Sequence, residues 1–135
     1  MAVASPRHPL TTVRHLRVAR LFRELFLTRE EGAGTRVVVF AALHNRRVTP
    51  SRLFEISENE VLKKLAAAGV GFTILSRMAV QEEIARGELA VLRVEDLVLR
   101  RTLSWLQVKG RRPSPAMAGF RALATGPFRP RLEAR

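Results

Sequence analysis

The sequence predicts an α/β fold with a largely parallel sheet flanked by helices. Short apolar runs of strand length alternate with segments whose apolar residues recur at helical spacing, and the connections between them are short. Glycines follow predicted helices, at positions where a left-handed residue commonly ends a helix. The chain has 135 residues, of which 47% are hydrophobic, so it can bury the core of one small domain.

Four strands are predicted in the N-terminal part of the chain. Residues 1–5 form a short strand that ends at the two prolines of PRHPL. Residues 13–21 are basic and can form one helical turn, and residues 21–28 include a second short strand. Residues 52–57 alternate in polarity. Residues 70–76 form the near-continuous apolar run that is typical of a strand covered on both faces.

Two helices are predicted between these strands. From Val37 onwards apolar residues recur at helical spacing, and Pro50 marks the end of this segment. Ser57 and Glu60 form the pattern of a capping box, which predicts the start of the next helix, and Gly69 is the expected left-handed residue at its end. The buried stripe of this second helix is predicted to comprise Val61, Leu62, Leu65 and Ala66.

The C-terminal part adds two helices and two strands. A helix is predicted over 77–86 with Gly87 as its end, followed by strands at 89–94 and 102–108. Ser114 precedes a proline and predicts the start of a last helix. The apolar stripe of that helix comprises Met117, Phe120, Leu123 and Ala124.

These later strands do not fit the sheet that the earlier strands suggest. If the strands near residues 2, 24, 54 and 73 make one sheet, those at 89–94 and 102–108 are left over. Two strands and one helix are too few for a second domain. The C-terminal third is therefore interpreted as the end of a unit whose beginning lies outside this sequence.

The charge balance suggests an anionic partner. The chain carries 24 Lys and Arg against 12 Asp and Glu, which gives a net charge of +12. Such a charge is typical of proteins that bind nucleic acid. An arginine-rich genome composition explains the same count equally well. The basic residues are scattered, with loose concentrations at 7–23, 100–112 and 129–135. One Trp and no Tyr leave no evident stacking platform for single strands.

Composition also excludes several kinds of site. The absence of cysteine rules out disulfides and thiolate chemistry, and it fits a reducing cytoplasm. The longest charge-free run, 65–76, is too short to span a bilayer. His8, His15 and His44 show no metal-ligand spacing and no obvious carboxylate partner. No nucleophile motif or acid–base couple is evident, so we expect a binding module without metal or cofactor rather than an enzyme.

The stretch REEGAGTR, residues 29–36, is the leading candidate for a binding site. A glycine-flanked turn that opens a helix presents unpaired N–H groups and the positive end of the helix dipole. Thr35 can cap those amides or offer its hydroxyl to an anion. The alternative interpretation is an ordinary capped helix start. Ser76, at the carboxyl end of the strand at 70–76, lies where α/β sheets bind ligands, or it only caps the next helix.

Together these segments resemble the effector-binding domain of LysR-type transcriptional regulators. The residues that carry the likeness are VASPRHPL, then LTREEGAGTR, then the continuous run from VTPSRLFEISENEV to AMAGFRALA. It extends from about residue 2 to residue 124. The resemblance implies two lobes of the periplasmic-binding-protein type II class, joined by two crossing strands, with a small effector bound in the cleft between the lobes.

The resemblance also implies a domain division. Residues 1–87 would form the second lobe, residues 88–126 a crossing strand and the return into the first lobe, and residues 127–135 a flexible tail. The helix-turn-helix of the family, through which its members bind DNA, is not in this sequence, so we expect a truncated regulator. Ser76 stands where many members have proline after the buried strand.

Carried over by position, the turn lines the effector cleft, the end of the buried strand approaches it, and Ala4 and Ser5 lie at the hinge. The effector is expected to be a small, anionic metabolite, bound weakly because half of the cleft is missing. The implied effector-binding residues are Ser5, Gly32, Ala33, Gly34, Thr35, Thr73 and Ser76.

The leading hypothesis is therefore a cytoplasmic effector sensor that forms a homodimer, because the apolar faces of 102–108 and 114–124 would otherwise be exposed. A nucleic-acid-binding protein that acts through its +12 surface is the first alternative. A folded remnant without function is the second.

Overall fold

The computed structural model describes residues 1–102, 104, 106–108, 110 and 113–126. The chain divides into two compact units, Met1–Thr102 and Leu103–Arg135. The tail predicted at 127–135 lies outside the described residues. No helix in the described part is long and apolar enough to cross a membrane.

The first unit is built on a mixed five-stranded sheet with the order β3-β2-β4-β1-β5. Strand β2 is parallel to β3 and β4, whereas β1 is antiparallel to both of its neighbours, β4 and β5. Four strands thus run in one direction, and we call the side of the sheet where they end the carboxyl edge and the other side the amino edge. The strands are β1 Ala2–Ala4, β2 Leu25–Thr28, β3 Arg52–Glu55, β4 Phe72–Ile74 and β5 Ala90–Leu92.

The two C-terminal strand predictions have different outcomes. The strand predicted at 89–94 forms as β5, but it is not left over, because it pairs with β1 from Ala2↔Leu92 to Ala4↔Ala90. The strand predicted at 102–108 is wrong for the residues described there, none of which is in a strand. Leu106 is 90% exposed. An alternating pattern makes no strand without a neighbour to accept its backbone hydrogen bonds.

Helices α2, α3 and α4 connect the strands that run in the same direction. The helix predicted over 77–86 is confirmed as α4, and that beginning after Ser114 is confirmed as α5. Within 13–21 only the last turn is helical, with the Asp96 carboxylate accepting a hydrogen bond from the Val18 N–H at 2.8 Å. The helices are α1 Val18–Leu21, α2 Gly34–Asn45, α3 Asn59–Ala67, α4 Arg77–Ala85 and α5 Pro115–Thr125.

One face of the sheet is covered by α2 and by an aromatic cluster. The rings of Phe22, Phe26 and Phe72 lie 5.0 to 5.3 Å apart between centroids. Helix α2 contributes Val39 and Leu43 to this side of the core. The helix predicted from Val37 is confirmed as α2, although Val37 itself is 57% exposed. This helix is apolar around most of its circumference, so spacing alone does not select the face that meets the sheet.

The other face is covered by α3 and α4, whose buried residues pack on Val3 and Leu27. The predicted capping box does not form: the N-cap of α3 is Glu58, one residue after Ser57, and no side chain caps this helix. The left-handed glycine predicted at the end of α3 is confirmed, since Gly69 has φ +82°. The fully buried residues of α3 and α4 are Leu62, Ala66 and Val80.

The second unit contains α5. The Ser114 hydroxyl accepts a hydrogen bond from the Met117 N–H at 3.3 Å, and Pro115 occupies the first helical position, as the sequence predicts. Within the unit none of the residues of this helix is buried. Its apolar stripe is therefore exposed, with Met117 at 40%, Phe120 at 60% and Leu123 at 69%.

Candidate functional site

Three helices begin at the carboxyl edge, because α2, α3 and α4 each follow a strand that ends there. The first N–H groups of a helix lack partners within it and carry the positive end of its dipole. At α4, the Ser76 hydroxyl accepts a hydrogen bond from the Ala79 N–H at 3.3 Å. Ser76 is therefore an N-cap, the alternative interpretation of this residue. No side chain caps α2 or α3.

The turn before α2 presents its backbone rather than its threonine. Gly32 has φ +84°, and the Ala33 N–H donates to the Glu30 carbonyl at 3.3 Å. Ala33 is the N-cap of α2 and offers no side-chain acceptor. Thr35 lies inside the first turn of the helix and does not cap it. The ordinary capped helix start is thus not what the structure contains: the N-terminus of α2 is open.

A guanidinium from a distant part of the chain lies against this open N-terminus. A Cβ placed on Gly34 would lie 3.4 Å from Nη1 of Arg101, so glycine leaves room for the approach. No carboxylate pairs with Arg101 in the part of the chain that the structure describes. The positive end of the α2 dipole and the Arg101 guanidinium therefore lie close together with no carboxylate to balance their charge. An anion bound between them would offset their repulsion.

The other two arginines of the turn already have partners. Arg36 is 12% exposed and donates to the Arg29 carbonyl at 2.9 Å, and it pairs with Glu55 at 2.6 Å. Arg29 binds the Glu30 carboxylate at 2.8 and 2.9 Å and the Asn59 side-chain oxygen at 2.9 Å. The hydrogen bond with Glu30 raises the pKa of Arg29 and lowers that of Glu30. These contacts fasten the turn to β3 and to the start of α3.

Of the predicted site residues, the structure brings Gly32, Ala33, Gly34, Thr35 and Ser76 to the carboxyl edge, where they follow the neighbouring strands β2 and β4. It does not bring Ser5 there. β1 is antiparallel to β4, so the residues after Ala4 lie at the amino edge, where Ser5 Cβ is 4.0 Å from a Cβ placed on Gly69. Ser5 is therefore at the opposite edge of the sheet from the turn, and the hinge carried over from the family to Ala4 and Ser5 stays a prediction.

Thr73 does not reach the surface. It is 1% exposed and pairs in register with Val3 and Leu27, on the face that α3 and α4 cover. Its hydroxyl oxygen has no hydrogen-bond partner among the described residues. Thr73 is thus a core residue, one position short of the carboxyl end of β4.

The histidines do not form a metal site. His8 is buried and its Nδ1 accepts from the Leu10 N–H at 3.2 Å. His15 does have a carboxylate partner, Glu95, at 2.6 Å. The two residues are far apart in the sequence, so no local pattern indicates this contact. Within the described ranges, no three His, Asp or Glu side chains are grouped so that they could hold a metal ion.

Sequence reasoning missed Arg101 altogether. Arg29 and Arg36 flank the turn in the sequence, and their acidic partners Glu30 and Glu55 become evident only in three dimensions. No local pattern places Arg101 at the turn, because that approach depends on the path of the chain after β5.

Comparison with known proteins identifies the family. The model of the LysR substrate binding domain matches residues 1–127. The chain is 34% identical over 120 residues to the HTH-type transcriptional regulator CfxR of Cupriavidus necator, covering 89% of this chain and 38% of CfxR. It is 33% identical over 121 residues to the RuBisCO operon transcriptional regulator of Allochromatium vinosum, covering 90% and 40%. The chain thus spans about two fifths of the length of these relatives.

Solved structures give the same result. The regulatory domain of CcmR from Synechocystis PCC6803, in complex with 2-PG, superposes with a TM-score of 0.73 at 28% identity, over 88% of this chain and 57% of that one. The effector-binding domain of QuiR also superposes with a TM-score of 0.73, at 16% identity and over 91% and 57%. This second likeness supports the fold alone. The chain belongs to the LysR substrate-binding domain family, a family of effector-binding regulatory domains and not of enzymes.

Proposed function

We propose that the carboxyl edge of this sheet binds a small anionic metabolite, which lies between the open N-terminus of α2 and the Arg101 guanidinium. The observation that carries the proposal is the approach of Arg101 to Gly34, with no carboxylate among the described residues to compensate it. The N–H groups of Gly34 and Thr35 and the Arg101 side chain would donate to the anion. Charge-assisted hydrogen bonds of this kind each contribute about 1.5–3 kcal/mol.

The relative with a bound ligand supplies the first probe. The regulatory domain of CcmR holds 2-PG, and it is 28% identical to this protein over 88% of the present chain. The ligands to test are therefore 2-PG and, as the simplest anion for comparison, inorganic phosphate.

The wider setting of the site is part of the same proposal. Residues 1–87 would act as the second lobe of an effector-binding domain and residues 88–126 as the return into the first lobe. Closure of the two lobes on the effector would bias DNA binding through a helix-turn-helix outside this sequence, in the cytoplasm. This chain alone offers one wall of such a cleft, so we expect weak binding.

Weak binding is best measured by the amide chemical shifts of the isotope-labelled protein during a titration with 2-PG. We expect the signals of Gly34, Thr35 and the other residues at the start of α2 to move in a saturable way. Replacing Arg101 with Gln should raise the dissociation constant at least about tenfold, the equivalent of about 1.4 kcal/mol.

The matched control is Arg100→Gln, which removes the same charge from the neighbouring exposed residue. It should leave the titration unchanged. Shifts confined to the amino edge, or equal dissociation constants for the wild type and Arg101→Gln, would contradict the proposed site. Equal affinity for inorganic phosphate and 2-PG would show that only the anionic group is recognised.

A further inference from the structure

The amino edge of the first unit carries a cluster of arginines from two distant segments. The Ser51 N–H donates to the Phe22 carbonyl at 3.0 Å, so the segment that precedes β2 and the segment that precedes β3 are joined there. Arg23 and Arg52 are the neighbours of these two residues in the chain. We define the arginine patch by its members on the two segments, which are Arg20, Arg23, Arg46, Arg47 and Arg52.

The positive charge of this patch is not compensated. All five side chains are exposed, and none pairs with a carboxylate in the described part of the chain. Arg46 donates to the carbonyls of Asp96 and Ala42 at 2.6 and 3.1 Å, which orders its guanidinium without neutralising it. The one acidic residue within 20–24 and 46–52 is Glu24.

The backbone at Arg47 gives a second, independent indication. Arg47 has φ +53° and is the one non-glycine residue with positive φ among those the structure describes. It follows α2 at the position that glycine occupies after α3 and α4. An arginine in the left-handed region costs stability, and such departures from local preference often accompany binding sites.

We propose that the arginine patch is a docking surface for the phosphate backbone of double-stranded nucleic acid. Guanidinium groups match phosphate oxygens in charge and in their forked geometry. No large exposed apolar side chain lies within 17–24 or 44–52, and the nearest ones, Leu53 and Phe54, follow Arg52 on the edge strand β3. The two segments themselves therefore present charge rather than the apolar centre typical of a protein interface. Phe54 is one exposed aromatic residue beside the patch, whereas a single strand is usually bound by several stacking rings, so a duplex is the favoured partner.

This surface is separate from the proposed effector site. The patch lies where β2 and β3 begin, and the turn at 32–35 lies where β2 ends. Loss of one activity therefore need not affect the other.

The test is the binding of a short fluorescent duplex of random sequence to the whole chain, measured by anisotropy from about 50 mM to about 200 mM salt. Each neutralised phosphate contributes about −0.9 to the slope of log K against log salt, so three to five contacts give a slope of roughly −2.7 to −4.5. We expect the triple substitution Arg23→Gln, Arg47→Gln and Arg52→Gln to flatten that slope by about 2.7.

The matched control is Lys64→Gln, Arg93→Gln and Arg121→Gln, which removes the same charge from exposed residues outside the patch. It should retain most of the slope and affinity. Thermal unfolding shows whether each variant remains folded. Three outcomes would overturn the proposal: no binding by the wild type at low salt, equal losses in the two triple variants, or binding of poly-glutamate in place of the duplex.

Discussion

Three helices of the first unit end with the same pair of backbone hydrogen bonds, and this repetition isolates one unusual residue. After α3, the Gly69 N–H donates to Ala66 and the Val70 N–H to Leu65, at 3.1 Å each. The end of α4 repeats the pattern with Gly87, which has φ +71°. After α2 the same bonds form, but the left-handed residue is Arg47. The Cβ of Arg47 therefore introduces a strain that a glycine would avoid.

Replacing Arg47 with Gly should stabilise the first unit by about 1 kcal/mol, because the left-handed conformation costs a residue with a Cβ roughly 1–2 kcal/mol and glycine loses part of that gain as chain entropy. The measurement is the free energy of unfolding in urea. Gly87→Ala is the converse, since no atom lies within 4 Å of the new Cβ and only the backbone is strained. It should destabilise by a similar amount. Equal stability of Arg47→Gly and the wild type would refute the strain argument.

A second glycine is required for space and not for its dihedral angles. A Cβ on Gly71 would lie 2.3 Å from the carbonyl oxygen of Leu25, where the start of β4 passes β2. We expect Gly71→Ala to destabilise by about 1–3 kcal/mol, as overpacking usually does. Gly119→Ala, in a helix with open space around it, should be neutral or stabilising. If Gly71→Ala unfolds at the same urea concentration as the wild type, β2 and β4 can move apart at little cost and the prediction is wrong.

At the scale of elements, α3 and α4 are linked by a partly buried ion pair. Lys63 Nζ lies 2.7 Å from Glu60 and 2.8 Å from Glu83, and the side chains of Lys63 and Glu83 are 11% and 12% exposed. The hydrogen bond from Lys63 lowers the pKa of Glu83. The hydrogen bonds with Glu60 and Glu83 raise the pKa of Lys63. Both shifts favour the charged pair over most of the pH range.

The pair should make stability depend on pH on the acid side. The pKa of Glu83 is lower in the folded state than its unfolded value of about 4.3, so its contribution is complete above that value and is lost as the pH falls through the folded pKa. Glu83→Gln should therefore be less stable than the wild type at pH 7, and the difference should shrink below about pH 4. Urea unfolding at both pH values measures it.

Glu82→Gln is the control for this pair, because Glu82 is 76% exposed and reaches only Arg86, at 3.5 Å. Its effect should stay within about 0.5 kcal/mol at either pH. A stability difference between Glu83→Gln and the wild type that does not change with pH would show that packing, and not charge, links the helices.

At the scale of the whole molecule, the features read from the sequence are those that local chemistry determines. Apolar runs and helix-ending glycines predicted β2, β4 and α4, and the proline after Ser114 predicted the start of α5. The direction of β1 was not readable, because a three-residue strand pairs equally well either way until its neighbours are known. Ser5 was assigned to the site by its position in the family resemblance, and the antiparallel direction of β1 puts it at the amino edge instead. Arg101 at the turn and the arginine patch depend on contacts between distant segments, which carry no local pattern.

The exposed apolar stripe on α5 leads to the last prediction. Met117, Phe120 and Leu123 share one side of this helix at 100° per residue, and all three are exposed. Exposed apolar patches of this kind usually mark a contact surface. We therefore expect the chain to self-associate, and we expect Leu123→Lys to weaken the dimer because it places a charge within the contact.

Sedimentation velocity over a range of concentrations measures this equilibrium. Ala122→Lys puts the same charge on the opposite side of α5 and should leave the dimer intact, since that side carries only small residues such as Ala118 and Gly119. The comparison separates a contact through the stripe from a general effect of adding charge to a chain of +12. If the wild type stays monomeric at high concentration, a second copy does not cover the stripe and the prediction is wrong. If both lysine variants dissociate equally, the contact lies elsewhere on the molecule.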